Sequence, residues 1–248
     1  MDKLQKCAKA FEQLLEIQYR IIIGRKGKST ELVIGFSKLD FHHLMGLGKL
    51  KDLRIAKRNR GLVFDEILNG STTYKTLTES RYLPQIENRF EPFSLIEQLL
   101  DDNRLIFRYN EKLNQFSLIE ADYILSTPFD TTDIYIFIAE HKETGRYFCR
   151  SFFPKEKKDY TESQPRYTML YKEKRNLTTG ETIVQYDRLT PKATKKEEGW
   201  KGTKTLSAFL LFPCPHILKN AKNTSPTKPF IESVIVVLVE GESEGKKR

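Results

Sequence analysis

Two adjacent histidines, His42 and His43, stand in the stretch FHHLMGLGKLKDL that runs from Phe41 to Leu53 and also carries Lys49 and Lys51. An imidazole that titrates near pH 6.5 can give or take a proton at neutral pH, which makes histidine the usual general acid or base of metal-free phosphodiester chemistry. If the stretch is helical, His43 shares a face with Gly46, Leu47 and Leu50, whereas His42 points toward Lys49 and the more polar side. Gly46 costs about 1 kcal/mol of helix propensity relative to alanine, and it clears the space beside His43 for a close approach. The same pattern also fits a half-buried structural histidine next to a helix-packing glycine.

A second group of reactive side chains lies about a hundred residues downstream. In a strand over 146–153, strict alternation puts Phe148, Arg150 and Phe152 on one face and Tyr147, Cys149, Ser151 and Phe153 on the other. In a strand over 166–174, Arg166, Thr168, Leu170, Lys172 and Lys174 align opposite Tyr167, Met169 and Tyr171. The connector PKEKKDYTESQP brings Tyr160, Thr161 and Gln164 to the mouth of this hairpin. Fixed cations, hydroxyls and aromatic rings on one surface suit phosphate contacts and base stacking on single-stranded nucleic acid. An ordinary solvent-facing side of an antiparallel sheet has the same composition.

The charge distribution singles out the same two regions. The chain of 248 residues has 42 Lys+Arg against 33 Asp+Glu, a formal net charge of +9. Residues 25–60 hold ten Lys/Arg against three Asp/Glu, and residues 142–175 hold ten against five, so the remainder of the chain is slightly acidic. Basicity confined to two segments is the footprint expected of a phosphate-binding surface, although Lys-rich solvated faces would produce it too.

Other chemistries lack their motifs. GRKGKS, beginning at Gly24, fails the spacing of a nucleotide-binding loop and is followed by a strand pattern where that loop needs a helix. Cys7, Cys149 and Cys214 have no Cys-x-x-Cys spacing, the histidines no His-Glu-x-x-His pair, and Cys214-Pro-His216 stands alone, so neither a metal nor a cofactor is expected. No window of 18 apolar residues and no signal peptide is present, which predicts a cytoplasmic chain with reduced thiols and no membrane partner.

The elements that must hold these residues follow from periodicity. Leu4, Cys7, Ala8, Phe11, Leu14, Leu15 and Gln18 predict an amphipathic helix over 3–18. A hairpin over 19–23 and 31–37 comes next, then helices near 39–56, 60–68 and 84–100. Strands are expected at 104–109, 122–126, 134–140, 146–153, 166–174, 182–187, 205–212 and 233–239, with a loop over 190–204. Helices in the first half and strands in the second predict an α+β fold, N-terminal helices packed on a mainly antiparallel β-sheet. The chain reads as a single domain over 1–240 with a disordered tail at 241–248.

Three segments, FSKLDFHHLMGLGKLKDL, IEADYILS and RSFFPKEKKDYTESQPRYTMLYKEKRN, resemble the fourth phage-associated group of the Barnase/EndoU/colicin/RelE-like nucleases. The resemblance spans 32–176 and leaves 177–240 as a C-terminal β extension. It implies a metal-independent ribonuclease fold, with helices preceding a four-stranded antiparallel sheet whose concave face holds the site. Carried onto this chain, it implies site roles for His43, Arg150, Ser151, Tyr160, Thr161, Thr168 and Lys172; His43, Arg150, Tyr160, Thr161, Thr168 and Lys172 are expected to be catalytic, and Ser151, together with Lys49, Lys51, Arg166 and Lys174 of the two basic segments, to bind substrate. RNA or another nucleic acid is the implied partner, with a neutralising partner protein if the role is toxin-like. A non-catalytic nucleic-acid-binding or partner-binding phage or plasmid protein is the alternative.

Overall fold

The computed structural model describes residues 1–114 and 117–191. The strands expected at 205–212 and 233–239, most of the 190–204 loop, the tail, and Cys214 and His216 lie outside the described residues. The described residues fall in one compact unit.

Helix α1 (Lys3–Leu14) starts where Asp2 accepts from the amides of Leu4 and Gln5, and it buries Leu4, Cys7, Ala8, Phe11 and Leu14. It stops four residues short of the predicted end, because the alternation of Ile17, Tyr19, Ile21 and Ile23 claims the chain for β1 (Ile17–Arg25). Lys26 and Gly27, both at positive φ, turn it into β2 (Lys28–Gly35). Four short helices follow: α2 (Lys38–Leu44), α3 (Arg60–Leu68), α4 (Tyr74–Leu77) and α5 (Phe90–Phe93), with two short 3-10 segments between α2 and α3 and two more between α4 and α5. Helix α6 (Ile96–Asp102) then leads to β3 (Leu105–Arg108), β4 (Tyr123–Phe129), β5 (Thr132–Glu140), β6 (Tyr147–Pro154), β7 (Arg166–Asn176) and β8 (Thr182–Asp187).

The eight strands form one sheet in the order β1-β2-β6-β5-β4-β3-β7-β8, and a further β1–β7 pairing closes it into a barrel. The expected mainly antiparallel sheet is therefore corrected to a closed and mixed one. The ends of β2 and β6 meet in parallel through Ile34 opposite Tyr147 and Gly35 opposite Phe148. Such a two-residue contact between distant segments leaves no mark on local periodicity. One face of the sheet and the helices share the main core, in which Phe11, Phe41, Phe64 and Phe93 make mutual ring contacts at 5.1–6.1 Å. The opposite face carries a smaller aromatic cluster built on Tyr109, Tyr135 and Phe137, against which Ile119, Phe153 and Tyr160 pack. Among the described residues, no helix is long and apolar enough to cross a membrane.

Candidate active site

Helix α2 is fixed at both ends. Ser37 and Asp40 form a reciprocal capping box at its start, and buried Phe41 and Leu44 hold it against the aromatic core. The helix ends at Leu44, and Gly46 takes the left-handed conformation with φ +74. The long helix expected over 39–56 is thus cut at its first third, and the face assignment projected along it is reversed. His42 is buried, and its Nε2–H donates to the carbonyl of Ile55 at 3.0 Å. His43 is exposed, and among the described residues nothing hydrogen-bonds its ring. Of the two imidazoles, His43 alone has its nitrogens open to a ligand.

Strand β6 supplies the facing wall. Phe137 of β5 pairs with Ser151 and the next residue, Ile138, pairs with Cys149, so Arg150 is the extra residue of a β-bulge. The bulge resets the alternation: Tyr147, Cys149 and Phe152 enter the core, while Phe148, Arg150, Ser151 and Phe153 are only half-buried. Uninterrupted parity would put Arg150 and Ser151 on opposite faces. The bulge turns both toward α2 instead.

Between these walls lies a cavity of about 360 Å³ lined by His43, Gly46, Gly48, Lys49, Arg89, Leu118, Ile119, Arg150 and Ser151. It holds three cations and no carboxylate. Arg89 is the residue that the charge distribution missed. It is 4% exposed, its Nη1 donates to the carbonyl of Leu44 at 2.9 Å, and its guanidinium sits over the ring of Phe153. Its Nε has no partner, and among the described residues no carboxylate forms an ion pair with it. Burial draws the Arg89 pKa down to about 10, against the pull of Glu156. Lys49 is likewise shifted below the ordinary lysine value, by burial and then by Arg89. His43 is held below the ordinary histidine value by burial, then by the positive Arg60 and Arg150. At neutral pH the cavity thus presents a neutral imidazole among cations, with a buried donor left unsatisfied, a combination suited to a phosphate diester.

The other expected site residues fall elsewhere. Lys172 is fully buried, and its amine donates to the carbonyls of Leu100, Asp101 and Asn103 at the end of α6. It serves that helix terminus and is unavailable to a substrate. A second bulge accounts for this placement: Ile22 pairs with Tyr171 and Ile23 with Met169, so Leu170 is extra and Lys172 swings into the core that Met169 enters on the opposite parity. Lys174 is committed to Glu97 and Asp101 at 2.5 and 2.9 Å. Arg166, Thr168 and Lys51 are exposed but do not line the cavity. Thr161 donates to Asp159 at 2.6 Å, as Tyr135 does at 2.9 Å, in a local turn. Tyr160 packs on Phe153, whose ring in turn lies under Arg89, so it reaches the cavity at one remove.

Gly46 is the joint of this arrangement. A Cβ there would come within 2.8 Å of Ile86 and 3.1 Å of the Arg89 guanidinium carbon, in a conformation that L side chains rarely adopt. Gly46→Ala is expected to cost about 1–3 kcal/mol of stability, combining the left-handed penalty with overpacking. Thermal melts at matched pH measure it; an unshifted midpoint would show that the loop adapts freely.

No curated protein and no solved structure matches the chain. A family model, described as phage-Barnase-EndoU-ColicinE5/D-RelE like nuclease4, matches residues 3–189, extending the 32–176 stretch at both ends to take in α1, β1 and β8. With every residue of the cavity inside that match, the chain belongs to the phage-Barnase-EndoU-ColicinE5/D-RelE like nuclease4 family, PBECR4.

Proposed function

We propose that this nuclease cleaves RNA without a metal ion, by attack of the ribose 2′-hydroxyl on the adjacent phosphate. The observation that carries the reading is the cavity itself: an unencumbered neutral His43 facing Lys49, Arg89 and Arg150, with no carboxylate in its lining. His43 takes the 2′-hydroxyl proton as the 2′-oxygen–phosphorus bond forms. Arg89 and Arg150 stabilise the charge that develops on the non-bridging oxygens, and the Ser151 hydroxyl adds a donor. Lys49, acidified by burial and by Arg89, gives the proton that the leaving 5′-oxygen needs as its bond to phosphorus breaks. The products are a 2′,3′-cyclic phosphate and a free 5′-hydroxyl. The phage reference in the family description supports a mobile-element setting, and a toxin-like role there would call for a neutralising partner protein.

The test is incubation of the purified protein with total RNA in EDTA, followed by mapping of new ends. Cyclic phosphate ends at discrete positions are expected. Salt-sensitive binding with no new ends would instead favour the non-catalytic nucleic-acid-binding alternative. Loss of all cleavage in EDTA, restored by a divalent ion, would sink the metal-free scheme.

A further inference from the structure

Arg150 lines a second depression. On its other side lies a groove of about 840 Å³ whose walls carry four cationic side chains balanced by four carboxylates. Two of the pairs are matched directly: Arg108 to Asp122 at 3.1 Å, and Arg150 to Glu120 at 3.5 Å. The contrast with the cavity is one of kind. The cavity is purely cationic and takes phosphate, whereas a groove of balanced charge gains nothing from a phosphate and repels it from each carboxylate. Phe148 lines the groove two residues from Arg150 on β6, with its ring half-buried against that of His141 at 5.2 Å. A half-buried ring beside hydrogen-bonding carboxylates, next to a phosphate site, has the make-up of a nucleobase subsite.

Resting on the ribonuclease reading of the neighbouring cavity, we propose that the groove holds the base of the nucleotide flanking the scissile phosphate. Phe148 is its stacking platform. Glu120 accepts from amino-bearing base edges, so that adenine, cytosine and guanine are favoured over uracil, which has no exocyclic amine to offer. Arg150 spans both depressions and sets the base and the phosphate in register.

The test uses the full chain and 2′-O-methyl pentanucleotides of A, C, G or U, which lack the nucleophile and so report binding without cleavage. Wild type is expected to bind the A, C and G strands more tightly than U. Phe148→Ala is expected to weaken binding to all four by about tenfold, with Phe148→Trp restoring it. Glu120→Gln, a change at an exposed side chain, is expected to bring A, C and G down toward U and leave U unchanged. Equal binding of all four strands by wild type, or no effect of Phe148→Ala, overturns the groove assignment whether or not RNA is cut. If Phe148→Ala does not fold, the Glu120→Gln comparison decides alone. Base-selective binding by a protein that produces no ends would retain the groove and remove the ribonuclease reading.

Discussion

Changing His43 to alanine is expected to lower RNA cleavage by about 10²–10⁴-fold and to shift stability by no more than about 0.5 kcal/mol, because in the proposed scheme the ring carries the proton transfer yet holds nothing in place. Its neighbour gives the opposite result. His42→Ala breaks the bond to the Ile55 carbonyl inside the core and destabilises the protein by more than its exposed partner does. The pH profile adds a check that a structural role would not reproduce. Burial, Arg60 and Arg150 all disfavour the imidazolium, so the reactive neutral form persists below the ordinary histidine range. The acid limb of kcat/KM in wild type is therefore expected at a pH below about 6.5, the ordinary histidine value. Removing the Arg60 charge, as in Arg60→Gln, relieves part of that effect and moves the limb upward. Cleavage by His43→Ala at the wild-type rate would dismiss His43 as the base.

The second large effect separates activity from stability. Arg89→Met keeps most of the side-chain volume, removes the charge, and is expected to reduce cleavage by about 10²–10³-fold, the loss associated with one well-placed donor at a developing oxyanion. Losing the bond to the Leu44 carbonyl costs about 1 kcal/mol. Burying an unpaired guanidinium costs several kcal/mol, so its removal outweighs that loss and the variant should melt at or above the wild-type temperature. In the proposed scheme such a residue has its reason in the phosphate it binds. Wild-type cleavage by Arg89→Met, or a marked drop in melting temperature together with intact activity, would make Arg89 a structural group and remove the guanidinium from the proposed phosphate contacts.

These residues also mark where sequence reading succeeds and where physics hides the answer. Local patterns located α1, α3 and most of the described strands, because burial on one face imposes a period that single residues display. Strict parity failed in both strands to which it was applied, and each failure is a bulge: one extra residue at Arg150 and one at Leu170, invisible to alternation because bulges depend on the partner strand. The family motif pointed to His43 and Arg150, and the structure brings both to one cavity. Arg89 is hidden from the charge pattern because its own segment has more acids than bases. The signal was present in another form, since Ile86, Arg89, Phe90 and Phe93 sit at helical spacing and place a lone cation on an apolar face. Closure of the sheet depended on β1 meeting β7, about 150 residues away in sequence, which no local pattern encodes.

That closure bears on how a cell could make such a protein at all. During translation β1 emerges early, but its register with β7, from Ile17 opposite Asn176 to Gly24 opposite Thr168, cannot form until β7 has left the ribosome. The half-made chain already contains His43, Arg89 and Arg150, yet lacks the strand that shuts the sheet supporting them. Closure of the sheet, and with it the final support of that cavity, is therefore a late step of synthesis that must await β7.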